Sequence, residues 1–229
     1  MHQRKSKKII LYFFLLFVFG SINNISLNKI KFHGLDKINI TGLKDIDNKL
    51  LLKNIKSLDL DNLFLINGNK IKEVMDSNSL IENYIILKKY PSTLNIKIKK
   101  TNFLAKVNLD NQEFLVGSNG KLSKINNSND NLPYIFGKPK ISEFLKFKKI
   151  IDNSKISYKE IKSFYYFKSR RWDIELKNNI LIKLSKENTK NSLDDAFVFL
   201  SQNVLNKSII IDARISNQII INDWGSRIR

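Results

Sequence analysis

The sequence contains no cysteine, and this absence excludes disulfide bonds, Cys-ligated zinc and thiol nucleophiles together. Histidine is almost as scarce, since His2 and His33 are the only two and both lie near the amino terminus. Neither is placed to join a catalytic triad or a paired-histidine metal site. The segment Asn67-Gly68-Asn69-Lys70 lacks the second glycine and the Ser/Thr of a phosphate-binding loop. We therefore expect no enzymatic activity, no cofactor and no metal.

Two other motifs allow a chemical and a structural interpretation. Asp194-Asp195 could be paired carboxylates for acid–base work, but adjacent helical residues do not face each other, and Asp in a first turn suits the helix dipole. Arg170-Arg171-Trp172 could contact a nucleic acid, or Trp172 could enter the core beside two solvated arginines. We favour the structural interpretation in both cases.

Glycine (8) and proline (3) are also few, which argues against low-complexity linkers, and the 42% hydrophobic content is sufficient for a folded core. Acidic residues are outnumbered, with 21 Asp and Glu against 40 Lys and Arg, a formal charge of +19. The lysines are spread along the chain, which favours a solvated basic surface. A membrane-anchored binder of nucleic acid or another polyanion stays an alternative, as does a weak attraction to anionic lipid.

The hydrophobic run nearest the amino terminus is short for a membrane span, with twelve strictly apolar residues. The longest apolar stretch, residues 9–20, follows Arg4, Lys5, Lys7 and Lys8, and a softer tail extends it to residue 25. Positive residues before such a run hold that end in the cytoplasm. We predict a cytoplasmic basic tail at residues 1–8, a transmembrane anchor at 9–25 and an exported remainder. A cleaved signal peptide is the alternative, although no small-x-small pair follows Gly20.

Residues 32–100 show a strand, two helices and two strands in that order. Residues 37–41 and 94–99 alternate polar and apolar side chains, whereas the stretches after Asp47 and Asn67 carry helical apolar stripes. We predict that these two residues cap their helices. The β-α-α-β-β order indicates a small sheet with two helices on one face.

Residues 105–224 are richer in strands. They contain two hairpins, at residues 114–123 and 172–184, and two final strands at 209–211 and 219–221. Helical patterns occupy residues 144–151 and the stretch after Ser192, which forms a predicted capping box with Asp195. The expected fold class is therefore α+β, with a mostly antiparallel β domain and flanking helices at the carboxyl end.

The order of four short segments resembles the FtsQ/DivIB family of bacterial cell-division proteins. The segments are Tyr90-Pro91, residues 132–137, residues 172–176 and Ile211-Asp212-Ala213-Arg214. The chain departs from the family pattern at Lys100-Thr101 and Phe103, and Asn179 replaces a usual turn glycine. Another POTRA-bearing secretion component is an alternative.

This resemblance implies a POTRA domain at residues 32–100, a β domain at 105–224 and a single-pass inner-membrane location at the division site. It also implies a non-enzymatic scaffold that recruits small single-pass proteins of the FtsB and FtsL type and links them to septal peptidoglycan synthesis. Other division proteins could bind the POTRA domain, and no nucleic acid is expected.

The last strand is our candidate for partner binding, because a terminal strand with an unpaired edge can be extended by an incoming peptide. Trp224 at its end is the type of aromatic residue that anchors interfaces. The alternative is that the isoleucines only close the core and that Trp224 is a frayed end. The candidate partner-binding residues are Ile219, Ile220, Ile221, Asn222, Asp223 and Trp224.

Overall fold

The computed structural model describes residues 7–22, 35–58, 63, 66, 68–124, 131–203 and 209–223. The first element, α1 (Lys7–Ile22), is a 16-residue helix whose apolar side chains are mostly exposed. In these ranges no helix combines the length and the apolar character needed to cross a membrane. The predicted anchor at residues 9–25 continues beyond α1 into residues that lie outside the described part of the chain.

The amino-terminal unit is a three-stranded sheet with two helices. Its elements are β1 (Lys37–Thr41), α2 (Asp45–Lys56), α3 (Gly68–Ser77), β2 (Ile81–Lys89) and β3 (Thr93–Lys100). The strand order is β1-β3-β2, with β1 parallel and β2 antiparallel to β3. This is the predicted strand-helix-helix-strand-strand order.

The two helices of this unit cover one face of its sheet because each carries an apolar stripe. Leu51 and Ile55 of α2 and Ile71 and Met75 of α3 are buried with Ile96 and the other inward residues of the strands. Apolar residues at this helical spacing account for the position of the core.

The predicted cap of α2 is wrong. This helix begins at Asp45, and Lys44 occupies the capping position without a side-chain hydrogen bond. Asp47 lies in the first turn, where its charge suits the positive end of the helix dipole. The predicted cap of α3, Asn67, lies outside the described residues.

The carboxyl-terminal unit is one nine-stranded sheet with two helices. Its order is β12-β11-β10-β9-β8-β7-β4-β5-β6, and only β4–β7, β7–β8 and β10–β11 are parallel pairs, so the sheet is mostly antiparallel. The elements are β4 (Phe103–Leu109), β5 (Gln112–Gly117), β6 (Leu122–Lys124), β7 (Tyr134–Phe136), α4 (Ile141–Asp152), β8 (Ile161–Tyr166), β9 (Trp172–Leu176), β10 (Ile180–Leu184), α5 (Thr189–Gln202), β11 (Ile209–Ala213) and β12 (Ile220–Asp223).

Aromatic side chains form the centre of this second core. Phe144 and Phe147 of α4 pack against Phe164 and Trp172 of the sheet. The rings of Phe147 and Trp172 are stacked, with centroids 4.7 Å apart and an interplanar angle of 6°. Leu193 of α5 is buried in the same cluster, which shows that both helices cover one face.

The predicted capping box of α5 is also wrong. The helix begins at Thr189, so Ser192 lies inside it and is buried. Its hydroxyl accepts a hydrogen bond from the Ser185 N–H and donates one to the Asn188 carbonyl, both at 3.2 Å. Burial and these local hydrogen bonds explain why a serine occupies position 192 better than helix capping does.

A hydrogen-bonded junction joins the two units. Glu82 Oε2 accepts from Thr101 Oγ1 at 2.9 Å and from Ser118 Oγ at 2.6 Å. Asn119 Nδ2 donates to the carbonyls of Ser79 and Ile81 at 3.0 and 2.8 Å. Only residues 101 and 102 separate β3 from β4. The hydrogen bonds of Glu82 and Asn119 therefore join the two units directly beside this short connection.

Candidate functional site

The nine-stranded sheet has two edges, and they differ in accessibility. The edge strand β6 has three residues, and its Ser123 Oγ donates to Ser79 Oγ of the amino-terminal unit at 2.7 Å. At the other edge, β12 pairs with β11 and with no further strand among the described residues. The backbone groups on the outer side of β12 therefore form the accessible edge.

All four residues of β12 are exposed. Ile220 and Ile221 have 39% and 47% of their surface exposed, so they do not close the core. Ile219 precedes the strand and is the only one of the three isoleucines that packs against the core cluster. Trp224 lies outside the described residues. Exposed isoleucines on an unpaired edge indicate a surface suited to strand addition.

The two exposed isoleucines point to opposite faces of the sheet. Ile221 lies opposite Ile211, whose side chain belongs to the helix-covered core. Ile220 lies opposite Asp212, on the face that the helices leave open. A strand added to β12 would therefore meet one isoleucine on each face.

A groove runs beside this edge on the helix-covered face. It has a volume of about 300 Å³ and lies between α5 and the turn that leads into β12. The exposed side chain of Val198 gives it an apolar wall. Its lining residues are Asp195, Val198, Phe199, Gln202, Asn217, Gln218 and Ile219.

Three charged side chains, Asp173, Lys183 and Asp212, lie in a row behind the edge on the open face. Residues placed side by side across six strands are Phe136, Tyr165, Asp173, Lys183, Asp212 and Ile220. The sequence reasoning missed this row. The alternation of residues 172–176 puts Asp173 and Glu175 on the same face of their strand. It does not show which residues of the adjacent strands lie beside them.

The two aspartates of this row differ in electrostatic environment. Burial raises the pKa of Asp173 above its ordinary value, although Arg171 donates to both of its carboxylate oxygens. Burial also acts on Asp212, but hydrogen bonds from the Arg214 side chain and N–H outweigh it and lower the pKa of Asp212. The Asp212–Arg214 pair fixes the start of the turn into β12.

The two motifs for which the sequence allowed a chemical role, residues 170–172 and residues 194–195, make structural contacts. Trp172 is buried, so its ring is not available to stack on a base, and Arg171 lies over the Phe167 ring at 4.4 Å. Asp194 accepts from the Lys155 N–H at 3.0 Å and from Lys190 Nζ at 2.6 Å. No group of three or more His, Cys, Asp or Glu residues suited to a metal ion occurs in the described ranges, and His2 and His33 lie outside them.

Two family models match the chain. The model of the POTRA domain, FtsQ-type, matches residues 34–100, and that of the cell division protein FtsQ/DivIB C-terminal region matches residues 105–214. Together they cover most of the sequence. The second match ends before β12, so the candidate edge lies just beyond it.

Named relatives agree with these matches. The chain is 25% identical to cell division protein FtsQ of Rickettsia bellii over 167 residues, which are 69% of this chain and 60% of that protein. It is 23% identical to FtsQ of Rickettsia conorii over 200 residues, 83% of this chain and 72% of the relative. It is 29% identical to cell division protein DivIB of Clostridium acetobutylicum over 97 residues, 42% and 39% of the two chains. The two-unit fold and these matches show that the chain belongs to the FtsQ/DivIB family of cell-division proteins.

Proposed function

We propose that this protein is a non-enzymatic, membrane-anchored scaffold of the divisome. Its family membership supports a role in cell division. In this role it recruits small single-pass proteins of the FtsB and FtsL type and links them to septal peptidoglycan synthesis. The observation that carries the proposal is the accessible edge of β12 with its exposed isoleucines.

Recruitment proceeds by strand addition. An extended partner segment pairs its backbone N–H and C=O groups with those on the outer side of β12. Side chains on one face of the added strand enter the groove beside Val198, and those on the other face lie next to Ile220. Backbone pairing supplies affinity, and the groove supplies selection among partner sequences.

The anchor of the scaffold is the helix α1 with the residues that follow it to residue 25. A 16-residue helix is about 24 Å long, shorter than a hydrocarbon core of about 30 Å. The exposed apolar side chains of α1 and the basic residues before it support insertion with the amino terminus in the cytoplasm. The two folded units then lie on the exported side, and the POTRA domain supplies a second contact for other division proteins.

Site-specific photocrosslinking in living cells tests the partner surface. A photoreactive residue at Ile220 should capture a small coiled-coil membrane protein of the divisome, identified by mass spectrometry. The control places the same residue at Ile46, an exposed isoleucine of α2. Equal capture from both positions, capture of nucleic acid, or capture of an unrelated exported protein would overturn the proposal.

Substitution at the edge tests strand addition itself. Ile220→Pro removes a backbone donor from β12 and Ile221→Asp places a charge where partner side chains dock, so both should abolish recruitment. Ile46→Asp introduces the same charge at a remote exposed isoleucine and should leave recruitment unchanged. Full recruitment by both edge variants would contradict strand addition at β12.

A further inference from the structure

The sheet of the POTRA domain has a second face that no described helix covers. Helices α2 and α3 pack on the face that contains Leu94, Ile96 and Ile98. Strand alternation and register place the other residues on the opposite, open face. These residues are Lys37, Asn39, Thr41, Asn83, Ile85, Leu87, Lys89, Thr93, Asn95, Lys97 and Lys99.

Every charged side chain on this open face is a lysine. Lys37 belongs to β1, Lys89 to β2, and Lys97 and Lys99 to β3, so positive charge extends over all three strands. The nearest acidic residue of the strands, Glu82, lies at the β2 bulge and accepts the two hydrogen bonds of the domain junction. The face therefore attracts negatively charged surfaces.

Two large aliphatic side chains stand among these lysines. Ile85 and Leu87 of β2 have 58% and 45% of their surface exposed. Ile85 lies opposite Lys97 in the register, and Leu87 lies opposite Asn95. Tyr90, whose side chain is exposed, is the residue directly after β2. Exposed aliphatic side chains beside lysines mark an interaction surface.

A lipid surface fits this face better than a nucleic acid. The exposed apolar residues within it are aliphatic, whereas single-stranded nucleic acids bind on stacked aromatic rings. At membrane interfaces, lysine side chains typically lay their aliphatic stems along apolar surface, and their ammonium groups reach the lipid phosphates. Aliphatic side chains between such lysines can enter the boundary between headgroups and acyl chains.

The chain also holds this face near the membrane, a point that rests on the proposed anchor. Fifteen peptide units separate Ile22, the end of α1, from Lys37, the start of β1. Fully extended, they span about 50 Å at most. The POTRA domain therefore samples the bilayer surface at high local concentration.

We propose that the open face of the POTRA sheet docks on anionic lipid headgroups. The four lysines contact headgroup phosphates, and Ile85 and Leu87 enter the headgroup region. Docking turns the sheet of the domain parallel to the bilayer and is weakened by salt.

The absence of cysteine makes a direct depth measurement possible. Leu87→Cys carries a single environment-sensitive fluorophore on the full chain, which is reconstituted into vesicles of phosphatidylcholine alone or mixed with phosphatidylglycerol. Nitroxide-labelled headgroups should quench this label in the mixed vesicles and much less in phosphatidylcholine. The control label at Asn54→Cys, an exposed position of α2, should remain unquenched in both.

Charge removal tests the role of the lysines. Each lysine near an anionic surface contributes about fivefold, so Lys97→Gln with Lys99→Gln should lower the docked-to-undocked ratio about 25-fold. Lys53→Gln with Lys56→Gln, on exposed positions of α2, removes the same charge and should have no effect. No quenching at Leu87, equal quenching in both lipids, or equal loss in both double variants would overturn the proposal.

The anchor and the docking face give separable results in these vesicles. If the anchor fails, the chain labelled at Leu87→Cys leaves phosphatidylcholine vesicles, but its label is still quenched on mixed vesicles until salt is added. If docking fails, the chain remains on both vesicles and Leu87 is unquenched. Crosslinking from Ile220 is independent of both outcomes.

Discussion

Asn179 shows how a single residue determines a hairpin turn. It lies between β9 and β10 with φ of 61°, a left-handed conformation that asparagine tolerates and β-branched residues do not. Its N–H donates to the Leu176 carbonyl at 3.0 Å and closes the turn. Its side-chain Oδ1 also accepts a hydrogen bond from Lys162 Nζ at 3.3 Å, but the positive φ is what restricts the residue types that this position tolerates.

Substitution of Asn179 should follow backbone preference. Asn179→Val should lower the free energy of unfolding by about 1–2 kcal/mol, because valine resists positive φ. Asn179→Gly should change it by less than about 1 kcal/mol, since glycine adopts the same conformation. Urea unfolding followed by tryptophan fluorescence measures both, because Trp172 lies in β9. Equal stability of the two variants would show that the turn is not strained by a β-branched residue.

The pair Asp212–Arg214 gives the protein a pH-dependent stability. Because the folded pKa of Asp212 is below its ordinary value of 3.8, its contribution is full above that pH and disappears as pH falls through the folded pKa. Asp212→Asn should cost about 1–2 kcal/mol near neutral pH, a modest value because Arg214 is half-exposed.

Urea titrations at a series of pH values measure this contribution. The difference between wild type and Asp212→Asn should shrink as pH falls below the ordinary pKa. In an Arg214→Gln background the same substitution should cost much less, since the partner is already removed. A difference that is constant with pH would contradict the assigned ion pair.

At the scale of elements, helix α5 forms one wall of the groove beside β12. Val198 is exposed on this wall, whereas Asn191 is exposed near the start of the same helix and away from the groove lining. A single negative charge can therefore be added to α5 either inside the groove, at Val198, or outside it, at Asn191. This makes α5 the element on which groove binding and general charge effects can be separated.

Val198→Asp should weaken recruitment of the division partner at least tenfold, because a bound partner would desolvate an unpaired carboxylate on the apolar wall of the groove. Asn191→Asp should leave recruitment unchanged. Binding of a purified partner segment by both full-length variants is the measurement, with thermal unfolding as the folding control. Equal weakening would show that long-range charge, not the groove, is responsible.

The sequence predicted most elements where side-chain periodicity was regular. Strands β3, β9 and β10 and the stripes of α2 and α3 follow simple patterns, and β12 could be identified as a candidate edge from its position. Strands β4 and β8 were missed. In β8 a bulge between Ile161 and Ser163 interrupts the alternation of inward and outward side chains. A search for a period of two in the sequence therefore does not detect this strand.

The rest of the candidate site depends on contacts between distant segments. The groove exists because residues 195–202 and 217–219 meet in space, and the charged row exists because five pairing registers align. Neither relation is encoded in local periodicity. The two wrong helix caps have a local cause, since Asp47 and Ser192 fit a capping motif yet are the third and fourth residues of their helices.

At the scale of the whole molecule, two separate cores are joined by one polar junction. The core clusters of the POTRA domain and the β domain share no residue. Glu82 and Asn119 contribute four hydrogen bonds to this junction, beside those of Ser123 to Ser79 and of Lys121 to the Asp76 and Asn78 carbonyls.

Glu82→Ala combined with Asn119→Ala should separate the unfolding of the two domains. Wild-type protein should unfold in one calorimetric transition, and the double variant in two, because four hydrogen bonds of the junction are lost while both cores remain. Asn83→Ala with Glu113→Ala, at exposed strand positions, is the matched control. A single transition in the double variant would show that the coupling lies elsewhere.

The contact between Ser123 and Ser79 places one end of the nine-stranded sheet against the POTRA domain, whereas the other end, at β12, is accessible. A sheet that accepts strands at both ends can propagate into a fibre. Two copies that pair through β12, the accessible edge of the nine-stranded sheet, meet about a two-fold axis. Such a pair consumes both accessible strands and stops. Self-association and partner recruitment are then mutually exclusive, and the partner concentration sets the balance between them.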